Sequence, residues 1–174
     1  MKMRKSKIIA LVGLMGVGKT TIGFKLAQEL QYYFIDCDDE MQDRHRQTIN
    51  EIFAKYGEKY FRKIEEEIIE EIVSRDENIV LSLGGGAFMS EKTRKVLKDN
   101  EAITIWLDAP IDEIIKRIGR KGNRPLLKNN NKRQILAELM LKRAPIYALA
   151  DLKFTTANIN SENLITEIIN KLNN

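Results

Sequence analysis

Cysteine occurs once in the 174 residues, as Cys37. A single thiol excludes an internal disulfide and suits a chain that works in a reducing cytosol. Histidine also occurs once, as His45 between Arg44 and Arg46, with no second metal-type ligand beside it. It reads as a surface residue rather than a metal ligand. No run approaches the roughly eighteen apolar residues that a membrane span needs. The basic residues Met1 to Lys7 lead straight into a short apolar stretch, not into the apolar segment and cleavage site of a signal peptide. With three prolines in all, there is no proline-rich linker, and there is no internal repeat. Neither sign of charge dominates: the formal net charge is +4, and basic residues do not alternate with aromatics as on a nucleic-acid stripe. What remains, 43% hydrophobic and 31% charged, reads as one globular domain over residues 1–174, cytoplasmic and monomeric, with no nucleic-acid or membrane partner.

One stretch organises the rest. Ile8-Ile9-Ala10-Leu11-Val12 reads as a buried strand, and Ile22, Leu26 and Leu30 mark one side of a helix over 19–30. Between them runs Gly13-Leu14-Met15-Gly16-Val17-Gly18-Lys19-Thr20, the complete phosphate-loop pattern in its strand–loop–helix context. Glycines let successive backbone N–H groups turn toward phosphate oxygens, and the helix N-terminus adds positive potential. Lys19 can reach the β- and γ-phosphates, and the Thr20 hydroxyl can ligate Mg²⁺. A glycine-rich turn that binds nothing would not need four constrained positions in that context.

Further along, strand and helix alternate. Tyr33 to Asp36 reads as a strand ending in Asp36-Cys37-Asp38-Asp39, and open α/β sheets place ligand groups at such strand ends. Asp36 and Asp38, two apart at the strand end, divide the labour if the turn reorients them, one toward metal and phosphates and one toward an acceptor; the plain alternative is a helix N-cap. Thr48-Ile49-Asn50-Glu51 is a capping box that opens a helix to about Ser74, with a break at Gly57. Ile79 to Leu83 is a strand that ends in Gly84-Gly85-Gly86. A short helix from Ser90, a strand over 103–107 and a helix over 112–117 follow. Residues 119–131 are polar, basic and rich in glycine and asparagine, and read as a mobile lid. A helix over 132–144, a strand over 152–156 and a helix over 163–172 complete a doubly wound parallel sheet.

Several side chains invite a chemical reading, each with an ordinary alternative. Arg62, among Glu65, Glu66 and Glu67, could be a solvated ion-pair partner. The acidic run with Glu70 and Glu71 reads as the wet face of its helix, with Glu65 available to hold Arg62. Three consecutive glycines after a buried strand clear side chains where something approaches the backbone. Arg124 and Arg143 each stand near a proline. Cys37 lies between two aspartates that disfavour a thiolate, and Trp106 reads as core.

Taken together, Gly13–Thr20, Asp36-x-Asp38, Phe61-Arg62-x-x-Glu65, Gly84-Gly85-Gly86, Arg124-Pro-Leu-Leu and Arg143-x-Pro-x-Tyr147 resemble the shikimate kinase family in order and spacing, from Ile8 to about Tyr147. The resemblance implies a nucleoside-monophosphate-kinase-like fold with strand order 2-3-1-4-5, and transfer of the ATP γ-phosphoryl to the 3-hydroxyl of shikimate. It implies ATP binding by Gly13, Gly16, Val17, Gly18, Lys19, Thr20 and Thr21, with Arg117 near the adenine. Shikimate would be held by Asp38, Arg62, Gly84, Gly85, Gly86 and Arg143, the two arginines gripping its carboxylate. Asp38 would orient the reacting hydroxyl, Asp36 and Thr20 would hold Mg²⁺, and Lys19 and the lid residue Arg124 would serve the transferred phosphoryl. Two positions depart from the family: Arg46 replaces a frequent glycine, and Ala157–Asn160 lacks an arginine that many members place beside the adenine. A gluconate kinase and a non-catalytic nucleotide-binding regulator are the alternatives. The paired arginines with the triple glycine argue against the first, and the presence of Asp38 and Arg124 against the second.

Overall fold

In the computed structural model, residues 7–119 and 131–173 are described. Strand β1 (Ile8–Val12) is buried along its whole length and leads through the glycine loop into α1 (Lys19–Leu30). Strand β2 (Tyr33–Asp36), helix α2 (Cys37–His45) and the long α3 (Ile49–Val73) follow. Then come β3 (Ile79–Ser82), a single 3-10 turn at Ala87–Met89, α4 (Glu91–Asp99), β4 (Ile103–Asp108) and α5 (Ile111–Gly119). The chain closes with α6 (Lys132–Tyr147), β5 (Leu152–Thr155) and α7 (Ser161–Leu172).

The five strands are all parallel, in the order β2-β3-β1-β4-β5. The chain first steps from β1 past β3 to the β2 edge, then returns to the other side through β4. This reversal opens a crevice beyond the carboxyl ends of the central strands, where ligands bind in such sheets. Continuous burial of β1 and β3 fits strands covered on both faces. The edge strand β5 alternates half-buried and exposed residues.

Local chemistry fixes the elements that border this crevice. The Thr48 backbone N–H donates to Glu51 Oε2 at 2.7 Å, and the Glu51 N–H donates to Thr48 Oγ1 at 3.3 Å, closing the capping box at the start of α3. Gly57 interrupts that helix at φ 79°, ψ 171°, backbone that a residue with a Cβ adopts only under strain.

Helix α2 is foreshadowed in the sequence only by the N-cap alternative for its aspartates. Its nine residues are nearly all polar, and only Cys37 and Met41, four apart, are buried. Two apolar anchors give too short a period to reveal a helix. The Asp36 carboxylate accepts from the Asp38 N–H at 3.0 Å, so Asp36 is the N-cap and Asp38 lies in the first helical turn. The extended segment carrying both aspartates is therefore corrected to a strand-to-helix junction, and the N-cap alternative holds for Asp36. Helix α6 also runs past its expected end, through Pro145 to Tyr147.

Candidate active site

The phosphate loop is built as its glycines require, with Gly13, Gly16 and Gly18 all at positive φ (142°, 78° and 108°). Lys19, the first residue of α1, folds its ammonium back over the loop and donates to the carbonyls of Gly13 (2.8 Å) and Leu14 (3.0 Å). This places a nearly buried cation where backbone N–H groups and a helix N-terminus already attract anions. Thr20 Oγ1 donates to Asp36 Oδ2 at 2.7 Å, joining the start of α1 to the end of β2. These hard oxygens suit Mg²⁺ but are too few to hold a bare ion, which takes the rest of its octahedron from water and substrate phosphates.

Beside the loop lies a cavity of about 380 Å³, lined by Thr21, Arg117, Thr156, Ile159, Leu164 and the loop itself. The Arg117 guanidinium donates to the Val17 carbonyl (2.9 Å), to Thr156 Oγ1 (2.8 Å) and to the Thr156 carbonyl (2.9 Å). These bonds tie α5 to the loop and to the end of β5, and they fix the guanidinium plane in the cavity wall.

On the other side of the loop, α2, α3, α6 and the triple glycine meet. Arg62 Nη1 donates to Glu65 Oε2 at 2.7 Å, one turn along α3. A methyl group built on Gly86 would stand 2.5 Å from Arg62 Nη2, and one on Gly84 would stand 2.5 Å from Glu65 Oε1 and 3.2 Å from Asp38 Oδ1. On Gly85 it would stand 3.3 Å from Arg143 Nη1. The bare backbone of 84–86 is what allows Asp38, Arg62, Glu65 and Arg143 to converge. Tyr147, the last residue of α6, is fully buried and donates to the Gly85 carbonyl at 2.5 Å, fastening the helix that carries Arg143.

The electrostatics are uneven. Glu65 is 3% exposed, and burial raises its carboxyl above the ordinary glutamate value, against the lowering effect of Arg62. Glu65 Oε1 and Arg143 Nη1 are both buried with no hydrogen-bond partner among the described residues. A buried polar atom left in that state costs about 1–3 kcal/mol, so the pair marks where a polar ligand would be taken up. Burial also raises the Tyr147 hydroxyl, while Arg143 pulls it down. Cys37 is 2% exposed, and its thiol is pushed well up by burial and then by Glu65, Asp36, Asp38 and Glu40.

Two readings of the acidic run need correction. Glu65 does hold Arg62, but it is buried, not on the wet face; Glu66 is half-buried and accepts from Ser90 Oγ at 2.6 Å. His45, expected at the surface, is partly buried with both ring nitrogens engaged. Arg124 and nearly all of the expected lid over 119–131 lie outside the described residues. Tyr147 carried no expected role, although its place beside Arg143 in a helix-ending motif was a usable signal.

A phosphate loop at the switch point of a parallel sheet, facing a second pocket that holds two arginines and two carboxylates, defines a P-loop phosphotransferase for a small anionic acceptor. Comparison with known proteins narrows the class. The family model described as shikimate kinase matches residues 15–173. The shikimate kinase of Novosphingobium aromaticivorans is 45% identical over 156 residues, covering 88% of this chain and 80% of the relative. The solved structure of shikimate kinase from Acinetobacter baumannii in complex with shikimate superposes with a TM-score of 0.90 at 36% identity, covering 96% of this chain and 93% of that one. A gluconokinase from Sinorhizobium meliloti reaches a TM-score of 0.62 at 15% identity, which is a likeness of fold alone. The chain belongs to the shikimate kinase family.

Proposed function

We infer that this protein transfers the γ-phosphoryl group of ATP to the 3-hydroxyl of shikimate, releasing ADP and shikimate 3-phosphate, as a monomer in the cytoplasm. The observation that carries the reading is the convergence of Arg62 and Arg143 on the bare backbone of 84–86, with one guanidinium nitrogen of Arg143 buried and unpartnered among the described residues. A planar guanidinium is matched by a planar carboxylate.

The nucleotide phosphates rest on the loop N–H groups of Gly13 to Thr21, and the base end occupies the cavity walled by Arg117. Lys19 moves from the Gly13 and Leu14 carbonyls to the phosphates, an exchange of acceptors that keeps its charge compensated. Thr20 and Asp36 would hold Mg²⁺ together with those phosphates, and the ion when bound neutralises phosphate charge. Shikimate's carboxylate lies between Arg62 and Arg143, leaving its ring against Gly84–Gly86. Asp38 accepts from the 3-hydroxyl, orients it toward the γ-phosphorus and takes up its proton as the new bond forms. Arg124, from the segment resembling the family's lid, stabilises the charge on the transferred group.

The test is an ADP-release assay with shikimate as sole acceptor and gluconate in parallel. Turnover with shikimate is expected at least about a hundred-fold above gluconate, the discrimination that a hydrogen-bonding site achieves. Equal turnover with the two acceptors, or none with shikimate, overturns the reading.

A further inference from the structure

His45 ends α2, the helix whose first turn carries Asp38, and it touches α3 on both sides of the Gly57 bend. Its Nδ1 lies 3.0 Å from the Met41 carbonyl, which can only accept, so that nitrogen bears the proton. Nε2, 3.0 Å from the Tyr60 hydroxyl, is then the acceptor of that O–H. The ring stands edge-on to Tyr60 (centroids 5.8 Å, 89°) and 6.3 Å from Tyr56, and these two tyrosines stack on each other across Gly57 at 4.6 Å. A methyl group built on Gly57 would meet nothing within 4 Å, so the bend is not wedged in place at the glycine itself. Its angle is set by contacts that cross it. Phe53 and Phe61, with centroids 4.4 Å apart, do so toward the core. His45 does so toward α2, lying against Tyr56 on one side of the bend and bonded on the other to Tyr60, two residues before Arg62. Arg44 reaches α3 as well, but at Glu71, which is 55% exposed and more than two turns beyond Arg62.

We propose that His45 is a positioning residue for the acceptor: through Tyr60 it fixes the bent half of α3 against α2, and so sets the distance between Arg62, on the carboxylate side of the pocket, and Asp38, on the hydroxyl side. It touches neither substrate. It is not among the residues that line the nucleotide cavity or that bond Lys19 and Arg117 to the phosphate loop, so the effect falls on the acceptor.

The proposal rests on shikimate being the acceptor, and wild-type turnover with shikimate is measured first; its absence fails that reading, whereas the arms below judge the brace. In His45→Ala, KM for shikimate rises about three- to ten-fold, the weight of one ordinary hydrogen bond, while kcat and KM for ATP stay within about two-fold. Tyr60→Phe, which keeps the ring and removes only the hydroxyl, gives the same split and covers the case in which His45→Ala folds poorly. The double variant is no worse than either single one, because both remove the same bond. His45→Gln, whose amide oxygen can accept from Tyr60, recovers KM to within about two-fold of wild type. An unchanged KM for shikimate in Tyr60→Phe, a parallel rise in KM for ATP, or additive effects in the double variant each overturn the proposal.

Discussion

The two arginines of the acceptor pocket differ in what holds them. Arg62 is paired with the buried Glu65, whereas Arg143 keeps a buried nitrogen without a partner among the described residues. Loss of either removes half of a charge-assisted grip, so Arg62→Ala and Arg143→Ala should each lower kcat/KM for shikimate by about thirty- to a thousand-fold, with ATP affinity nearly unchanged. Stability should separate them. Arg62→Ala strands the Glu65 carboxylate in the interior and should cost about 1–3 kcal/mol of folding free energy; Arg143→Ala gives up the hydrogen bond to Tyr147 but relieves an unsatisfied donor, and should cost less. Urea midpoints check this, and equal losses would contradict it. Glu65 also makes stability depend on pH. Its folded-state carboxyl is raised above the unfolded value of 4.5. Below 4.5 it is protonated in both states and its contribution is fully present; as pH rises through the folded value, the unfolded chain gives up the proton more readily and that stability is lost. The stability of wild type relative to Glu65→Gln should therefore fall as pH climbs from about 4.5 through the raised folded-state value. Parallel melting curves over that window would disprove the assignment.

At the scale of elements, the parts that were readable in the chain are those with dense local signals. The loop at 13–20 has four constrained positions in eight residues, the Thr48–Glu51 box carries its own cap, and a lone Gly57 inside an otherwise helical period marks the bend. Helix α2 is hard to see in the chain because its two anchors, Cys37 and Met41, are lost among acids and amides, and only the N-cap chemistry of Asp36 hints at it. The partners of Arg62 and Arg143 could be listed but not aimed, because aiming them depends on α6 running through Pro145 to dock Tyr147 on Gly85. Arg46 shows a compromise of the same kind: it caps α2 at φ 49°, a left-handed conformation that costs a residue with a Cβ about 1 kcal/mol relative to glycine. The triple glycine gives an element-level prediction. In Gly86→Ala the new methyl would stand 2.5–2.8 Å from three atoms of the Arg62 guanidinium. The arginine must yield, so KM for shikimate should rise at least about ten-fold; because the clash is with the far end of a flexible side chain, the melting temperature should stay within a few degrees. Unaltered shikimate kinetics in this variant would show that the glycines serve packing elsewhere.

For the whole molecule, the two pockets sit on different elements and share the phosphate loop as a wall. Each ligand held at about a hundred times its dissociation constant adds about 2.7 kcal/mol to stability, or roughly 5–10 °C in a domain of this size. ADP and shikimate should each raise the melting temperature by that order, and together by at least the sum. A shift with ADP but none with shikimate would leave the acceptor pocket without an occupant. The sole thiol of the chain is the buried first residue of α2, between Asp36 and Asp38. Cys37 is sealed under α2 and held protonated by burial and by four surrounding carboxylates, so thiol reagents reach it only when the β2–α2 junction opens. The protein thus carries a built-in clock for its own opening. Modification by a colorimetric disulfide at pH 8 should run far slower than for a small free thiol, accelerate in urea along the unfolding transition, and slow further when shikimate is bound; oxidants that damage exposed cysteines should leave this enzyme's one thiol, and with it the Asp36–Asp38 junction, untouched until it unfolds.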